Sequence, residues 1–232
     1  MADIYCEYDA SDMKKVGINV VHVWYLDVTS SHAACFKTYQ DLGIYVIIQI
    51  QHFQYLNDYW NYGHYNELNG LIDSVASFPN VLGFVFADRR KASDDLAGPQ
   101  PKFANVKAKV RDVKLYMRES GYRQIPVGVA GTARESNAIE ATYLLCGDAT
   151  EQKIDFWMQF LPSACALKNN TALISSPSIY DTYGIPLLLS DFTCDEKTQD
   201  DGSRQFSELP TLYGPELSEV VSMPSSTVQV TN

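Results

Sequence analysis

The chain has 232 residues, 46% of them hydrophobic, and 18 basic against 28 acidic side chains give a formal net charge of −10. That is enough apolar material for one globular domain, and the acidity excludes nucleic acid and anionic membrane as partners, because both attract basic surfaces. No apolar run approaches the roughly 20 residues that a membrane-spanning helix needs.

Short apolar runs alternate with amphipathic segments along most of the chain, the pattern of βα units on a parallel sheet. Residues 7–15 read as a helix closed by Gly17, and Ile18–Leu26 as a strand ending at Asp27. A helix over Ser31–Leu42 stops at Gly43, and Ile44–Ile50 is the next strand. His52–His64 is a Tyr-rich loop, followed by a helix over about 65–77 and a strand at Val81–Ala87. Lys102–Ser120 is a helix capped by Gly121, and Ile125–Val129 a short strand. Glu140–Leu145 reads as a helix, Ile154–Met158 as a strand, Ala172–Tyr183 as a helix and Ile185–Ser190 as the last strong strand, before a final helix within Phe206–Val221.

Six strands therefore begin near positions 18, 44, 81, 125, 154 and 185. An eight-stranded barrel would need one more before residue 7 and one more after residue 221. The segment Ser226–Thr231 alternates like an exposed strand and is rich in β-branched residues, so it is expected to add to a sheet edge at the seam. Residues 1–223 read as one barrel domain and 224–232 as a C-terminal tail. The N-terminus shows neither a basic n-region nor an apolar h-region, which points to the cytoplasm if Met1 is native and to secretion or the cell wall otherwise.

The most informative stretch runs from Leu82 to Arg90, where an apolar strand passes straight into Asp88, Arg89 and Arg90. In a (β/α) barrel, residues just past the C-terminal end of a strand face the active site. A guanidinium stays protonated at any workable pH, so Arg89 cannot shuttle a proton. The histidines at 22, 32, 52 and 64 are dispersed without ligand spacing, and no cofactor loop is present, so neither metal nor cofactor is expected. An aromatic group, Trp24, Tyr25, Tyr55, Tyr59, Trp60 and Tyr62, suits either sugar stacking or a protein interface.

Residues 6–43 contain CEYDASDMKKVGINVVHVW, Asp27 and SHAACFKTYQDLG; further on come IDSVASFPNVLGFVF, RDVKLYMRESGYRQIPVG, YLLCGD, DFW, YGIPLLLSDFTC and LYGPELSEV. Over about residues 6–221 these segments resemble the fungal cell-wall 1,3-β-glucanosyltransferases, glycoside hydrolase family 72. The resemblance implies an α/β, (β/α)8 TIM-barrel-like fold, trimmed or incomplete at its N- and C-terminal seam. It also implies retaining chemistry by two glutamates, one in Gly-Asn-Glu after the fourth strand and one in Ser-Glu-Tyr-Gly-Cys after the seventh. Here those motifs read Ala87-Asp88-Arg89 and Ser190-Asp191-Phe192-Thr193-Cys194.

By this alignment Arg89 stands at the acid/base position and Asp191 at the nucleophile. His22 replaces an arginine, Trp24 a tyrosine and Gln49 an aspartate, and Gln159-Phe160-Leu161-Pro162 replaces a substrate-contacting Phe-Asn-Ser-Tyr. The resemblance implies disulfides Cys6–Cys35 and Cys165–Cys194, with Cys146 a free thiol. The degenerate positions Asp88, Arg89 and Asp191 lead to the expectation of a non-catalytic, self-associating structural protein derived from a glucanosyltransferase. The alternative is a β-1,3-glucan-binding pseudoenzyme of the cell wall, and the third reading a weakly active hydrolase or transglycosylase.

Overall fold

The computed structural model describes residues 2–50, 62–87, 101–132, 142–160, 184–190 and 228–230. In chain order the elements are α1 (Ala2–Lys15), β1 (Val20–Val23), α2 (Ala33–Asp41), β2 (Tyr45–Ile50), α3 (Tyr62–Val75), β3 (Val81–Ala87), α4 (Pro101–Glu119), β4 (Val127–Thr132), β5 (Phe156–Phe160), β6 (Leu187–Ser190) and β7 (Val228–Val230). A helical turn at 142–145 and a 3-10 turn at Thr150–Gln152 lie between β4 and β5. The first helix reaches further back than residue 7, since residues 2–6 contain no glycine or proline to stop it. The helices expected over 172–183 and 206–221 lie outside the described residues.

Helix endings set the entry of three strands. Gly43, at φ 70°, adopts the left-handed conformation that costs other residues a clash. Its N–H donates to the Gln40 carbonyl at 3.0 Å, and the Ile44 N–H donates to Tyr39 at 2.7 Å. This bond pair closes a helix and turns the chain sharply out of it. The same pair ends α1, from Gly17 to Lys14 and Ile18 to Met13, and α4, from Gly121 to Arg118 and Tyr122 to Met117. Each stop feeds β1, β2 or β4 within a few residues.

The seven strands form one parallel sheet in the order β6-β5-β4-β3-β2-β1-β7. Six follow chain order, as right-handed βα units do. The tail strand β7 lies on the outer side of β1, with Val21 opposite Val228, His22 opposite Gln229 and Val23 opposite Val230. The alternating tail segment thus pairs at the seam and covers an edge that would otherwise be open.

Alternate side chains along the strands separate into two cores. Val21, Val46, Ile48, Phe84, Phe86, Val127, Val129, Trp157, Leu187 and Leu189 pack against the helices, meeting Leu68, Ile72 and Val75 of α3 and Val110, Val113 and Met117 of α4. Val20, Ile47, Val85, Ala87, Ala130, Phe156, Met158 and Leu188 form a second cluster on the concave side of the curled sheet. This is the interior of a partial (β/α) barrel. Phe156 fills its floor: a Cβ on Gly128 would collide with the Phe156 ring, and one on Gly83 would sit 3.0 Å from its Cε1.

Polar ties hold the units together at the strand-entry end. Asn80 Nδ2 donates to the carbonyls of Phe36 at 3.0 Å and Ile44 at 3.2 Å, joining α2, β2 and β3. Lys114 Nζ donates to Asp155 Oδ1 and to the Lys153 carbonyl, both at 2.7 Å, while Asp155 Oδ2 accepts from the Val127 N–H at 2.7 Å. Cys6 and Cys35 form the disulfide that the resemblance implies, tying α1 to α2 with their Cα atoms 5.4 Å apart. By chain entropy, closing a loop of 29 residues contributes roughly 3–4 kcal/mol.

Candidate functional site at the C-terminal mouth of the barrel

The concave side changes character towards the ends of the strands. His22 shares a face with Val20, Gln49 with Ile47 and Ser190 with Leu188, so strand alternation turns all three inward. His22 and Ser190 are fully buried and Gln49 is 2% exposed. Among the described residues, Gln49 Nε2, Gln49 Oε1 and Ser190 Oγ have no hydrogen-bond partner. An unmade bond of this kind costs about 1–3 kcal/mol. A core selected for stability alone would be apolar at these positions. Trp24, the next inward position past β1, is half-buried with its ring 5.7 Å from that of His22 and tilted by 44°.

The loop after β1 forms a built rim. Asp27 accepts from the Thr29 hydroxyl at 2.7 Å, the Thr29 N–H at 2.9 Å and the Ser30 hydroxyl at 2.9 Å. The bonds from Thr29, then that from Ser30, hold the Asp27 carboxyl below its ordinary range. A nitrogen of the His32 ring, Nε2, lies 2.7 Å from the Asp27 carbonyl and ties the far side of the loop. On this loop Tyr25 is 52% exposed. Tyr62, at the first position of α3, is 78% exposed. A helix that follows a barrel strand starts at the C-terminal face, so both tyrosines belong to the mouth.

Asp88 and Arg89 directly follow Ala87 at the end of β3, and Asp191 directly follows Ser190 at the end of β6. These three, with Tyr55, Tyr59, Trp60, Cys165 and Cys194, lie outside the described residues. Gln159 departs from the sequence reading, which placed it among the substrate-contacting positions. It lies on the helix-facing side with Trp157, where its Oε1 accepts from Trp157 Nε1 at 3.3 Å and its Nε2 donates to the Gly131 carbonyl at 3.0 Å. Period-two alternation after Trp157 dictates that outcome.

Ser190 moved the other way. In the sequence only the first residue of the Ser190–Cys194 motif, it belongs to the inner polar layer, a role already legible in Leu187–Ser190 because residue 190 shares a face with Leu188. Cys146 is exposed and unbridged; its Sγ donates to the Tyr143 carbonyl at 3.0 Å and accepts from Lys107 Nζ at 3.1 Å. Among the described residues no three His, Cys, Asp or Glu gather as a metal would require, and no helix is long and apolar enough to cross a membrane.

A family profile described as glucanosyltransferase matches residues 1–224. Protein EPD1 of Candida maltosa is 32% identical over 94% of this chain and 39% of its own length. The 1,3-beta-glucanosyltransferase PGA4 of Candida albicans is 33% identical, over 94% of this chain and 49% of its own. The chain thus spans less than half the length of these curated relatives. Saccharomyces cerevisiae Gas2p, solved in complex with laminaripentaose, superposes with a TM-score of 0.78 at 28% identity, covering 94% of this chain and 49% of that one. These relatives overturn the expectation that the chain is not an enzyme. That expectation rested on the substitutions at the degenerate positions Asp88, Arg89 and Asp191, whereas matched relatives such as PGA4 are named for glucanosyl transfer. On the match of sequence and barrel together, the chain belongs to the glucanosyltransferases of glycoside hydrolase family 72.

Proposed function

We propose that this chain binds β-1,3-glucan in the C-terminal mouth of its barrel and transfers glucanosyl groups between glucan chains. The observation that carries the reading is the inward polar layer of Gln49 and Ser190, whose buried donors and acceptors lack partners among the described residues and match the hydroxyls of a sugar. A polyhydroxylated ligand would supply the missing bonds. Retaining transfer needs two carboxyl groups about 5–5.5 Å apart. Asp191, at the nucleophile position, would attack the anomeric carbon as the glycosidic bond breaks. Asp88, the carboxyl beside the acid/base position, would protonate the leaving oxygen. In the second half-reaction an acceptor hydroxyl would return its proton to Asp88 and displace the Asp191 ester.

Laminaripentaose tests both halves of the reading. Saturable binding by calorimetry, with longer and shorter oligosaccharides on chromatography that vanish in Asp191→Asn, is the expected result. Binding without any change in chain length would remove glucanosyl transfer and leave a glucan-binding protein. No binding would remove both. Self-association, an expectation of the sequence, has no observation behind it among the described residues, and the proposal does not include it.

A further inference from the structure

We propose that Tyr25 and Tyr62 form an outer rim that holds the part of a β-1,3-glucan chain projecting from the inner polar layer, so that affinity rises with glucan length. The inference rests on the glucan reading above and adds a site to it. Both tyrosines are mostly exposed, and both belong to the C-terminal mouth, from adjacent βα units: Tyr25 follows β1, and Tyr62 opens the helix that follows β2. The exposed Tyr45 stands at the opposite end, at the first position of β2, and the exposed Tyr8 is on α1, so neither belongs to this rim.

Two exposed aromatic rings from adjacent βα units give the mouth an outer edge on which a ligand can stack. The flat, weakly polar face of a pyranose is a suitable cover, because tyrosine presents a broad apolar ring with a polar tip and few torsions to immobilise. The loop is preorganised for this task. Asp27 gathers Thr29 and Ser30 within 2.9 Å, and His32 reaches back to the Asp27 carbonyl. A loop already ordered loses less entropy when ligand arrives. From Trp24 beside His22 to Tyr25 outside, the aromatic surface steps from pocket to rim within two residues.

The test is the affinity of the whole chain for laminaritriose and laminaripentaose. The wild type is expected to bind the longer sugar more tightly. Tyr25→Ala should weaken laminaripentaose about tenfold, as loss of one aromatic anchor does, while affecting laminaritriose much less. Tyr25→Phe should restore the wild-type ratio, because the ring and not the hydroxyl makes the contact, and Tyr62→Ala should reproduce the alanine effect more weakly. A Tyr25→Ala protein with unchanged laminaripentaose affinity, or one weakened equally for both sugars, would overturn the rim while the glucan reading stood. A wild type that bound neither sugar would overturn the glucan reading and the rim with it.

Discussion

The two sides of the same strands solve different problems. The helix-facing side, with Val21, Ile48, Phe84, Val129, Trp157 and Leu189, is dry and apolar, and its polar Gln159 is bonded through both ends of its amide. The concave side begins apolar, sealed by Phe156 and Met158, and then turns polar at Gln49 and Ser190 with bonds unmade. Stability comes from the first side and the floor of the second. The mouth gives up some stability for groups that can meet a ligand, as barrel enzymes do at the ends of their strands.

The largest expected break in this contrast is Trp157→Ala. The side chain is fully buried, and its removal should cost about 3–5 kcal/mol in denaturant unfolding, with laminaripentaose affinity of the folded protein little changed. Filling the floor should come next. Gly128→Ala places a methyl group against the Phe156 ring and should cost about 1–3 kcal/mol.

The mouth should respond in the opposite sense. Gln49→Leu removes two buried unbonded polar atoms and should raise stability by about 1 kcal/mol while weakening laminaripentaose by about tenfold. A variant that lost stability and kept its affinity would place Gln49 with the structural side.

The smallest effect concerns pH. Because the folded Asp27 carboxyl titrates below its ordinary value, its contribution is present above about pH 4, where the unfolded group is ionised, and is lost as pH falls through the lower folded value. The preference for laminaripentaose over laminaritriose should therefore fade on acidification. In Asp27→Asn the preference should already be reduced at neutral pH and change little with acid.

Much of the fold was legible because it is local. Glycine at 17, 43 and 121 ends helices by taking up the left-handed conformation, and apolar runs such as Val81–Ala87 suit strands covered on both faces, so among the described residues helices and strands fell close to their expected places. The Cys6–Cys35 bridge and the barrel came through the resemblance, which carries long-range information that spacing alone lacks. The sequence misread Gln159 because its alignment position said rim, while its partners, Gly131 and Trp157, are known only once β4 lies beside β5.

By itself, then, the chain determined its βα rhythm, its helix stops and its family, since these depend on local conformational cost and on long matching segments. Only the tertiary structure decided that Gln49 and Ser190 share one polar layer, that Phe156 closes the floor beneath them, and that Val228–Val230 lies along β1. Those facts depend on which strands become neighbours. Strand pairing is set by the register of backbone hydrogen bonds between segments far apart in sequence, which no single stretch contains.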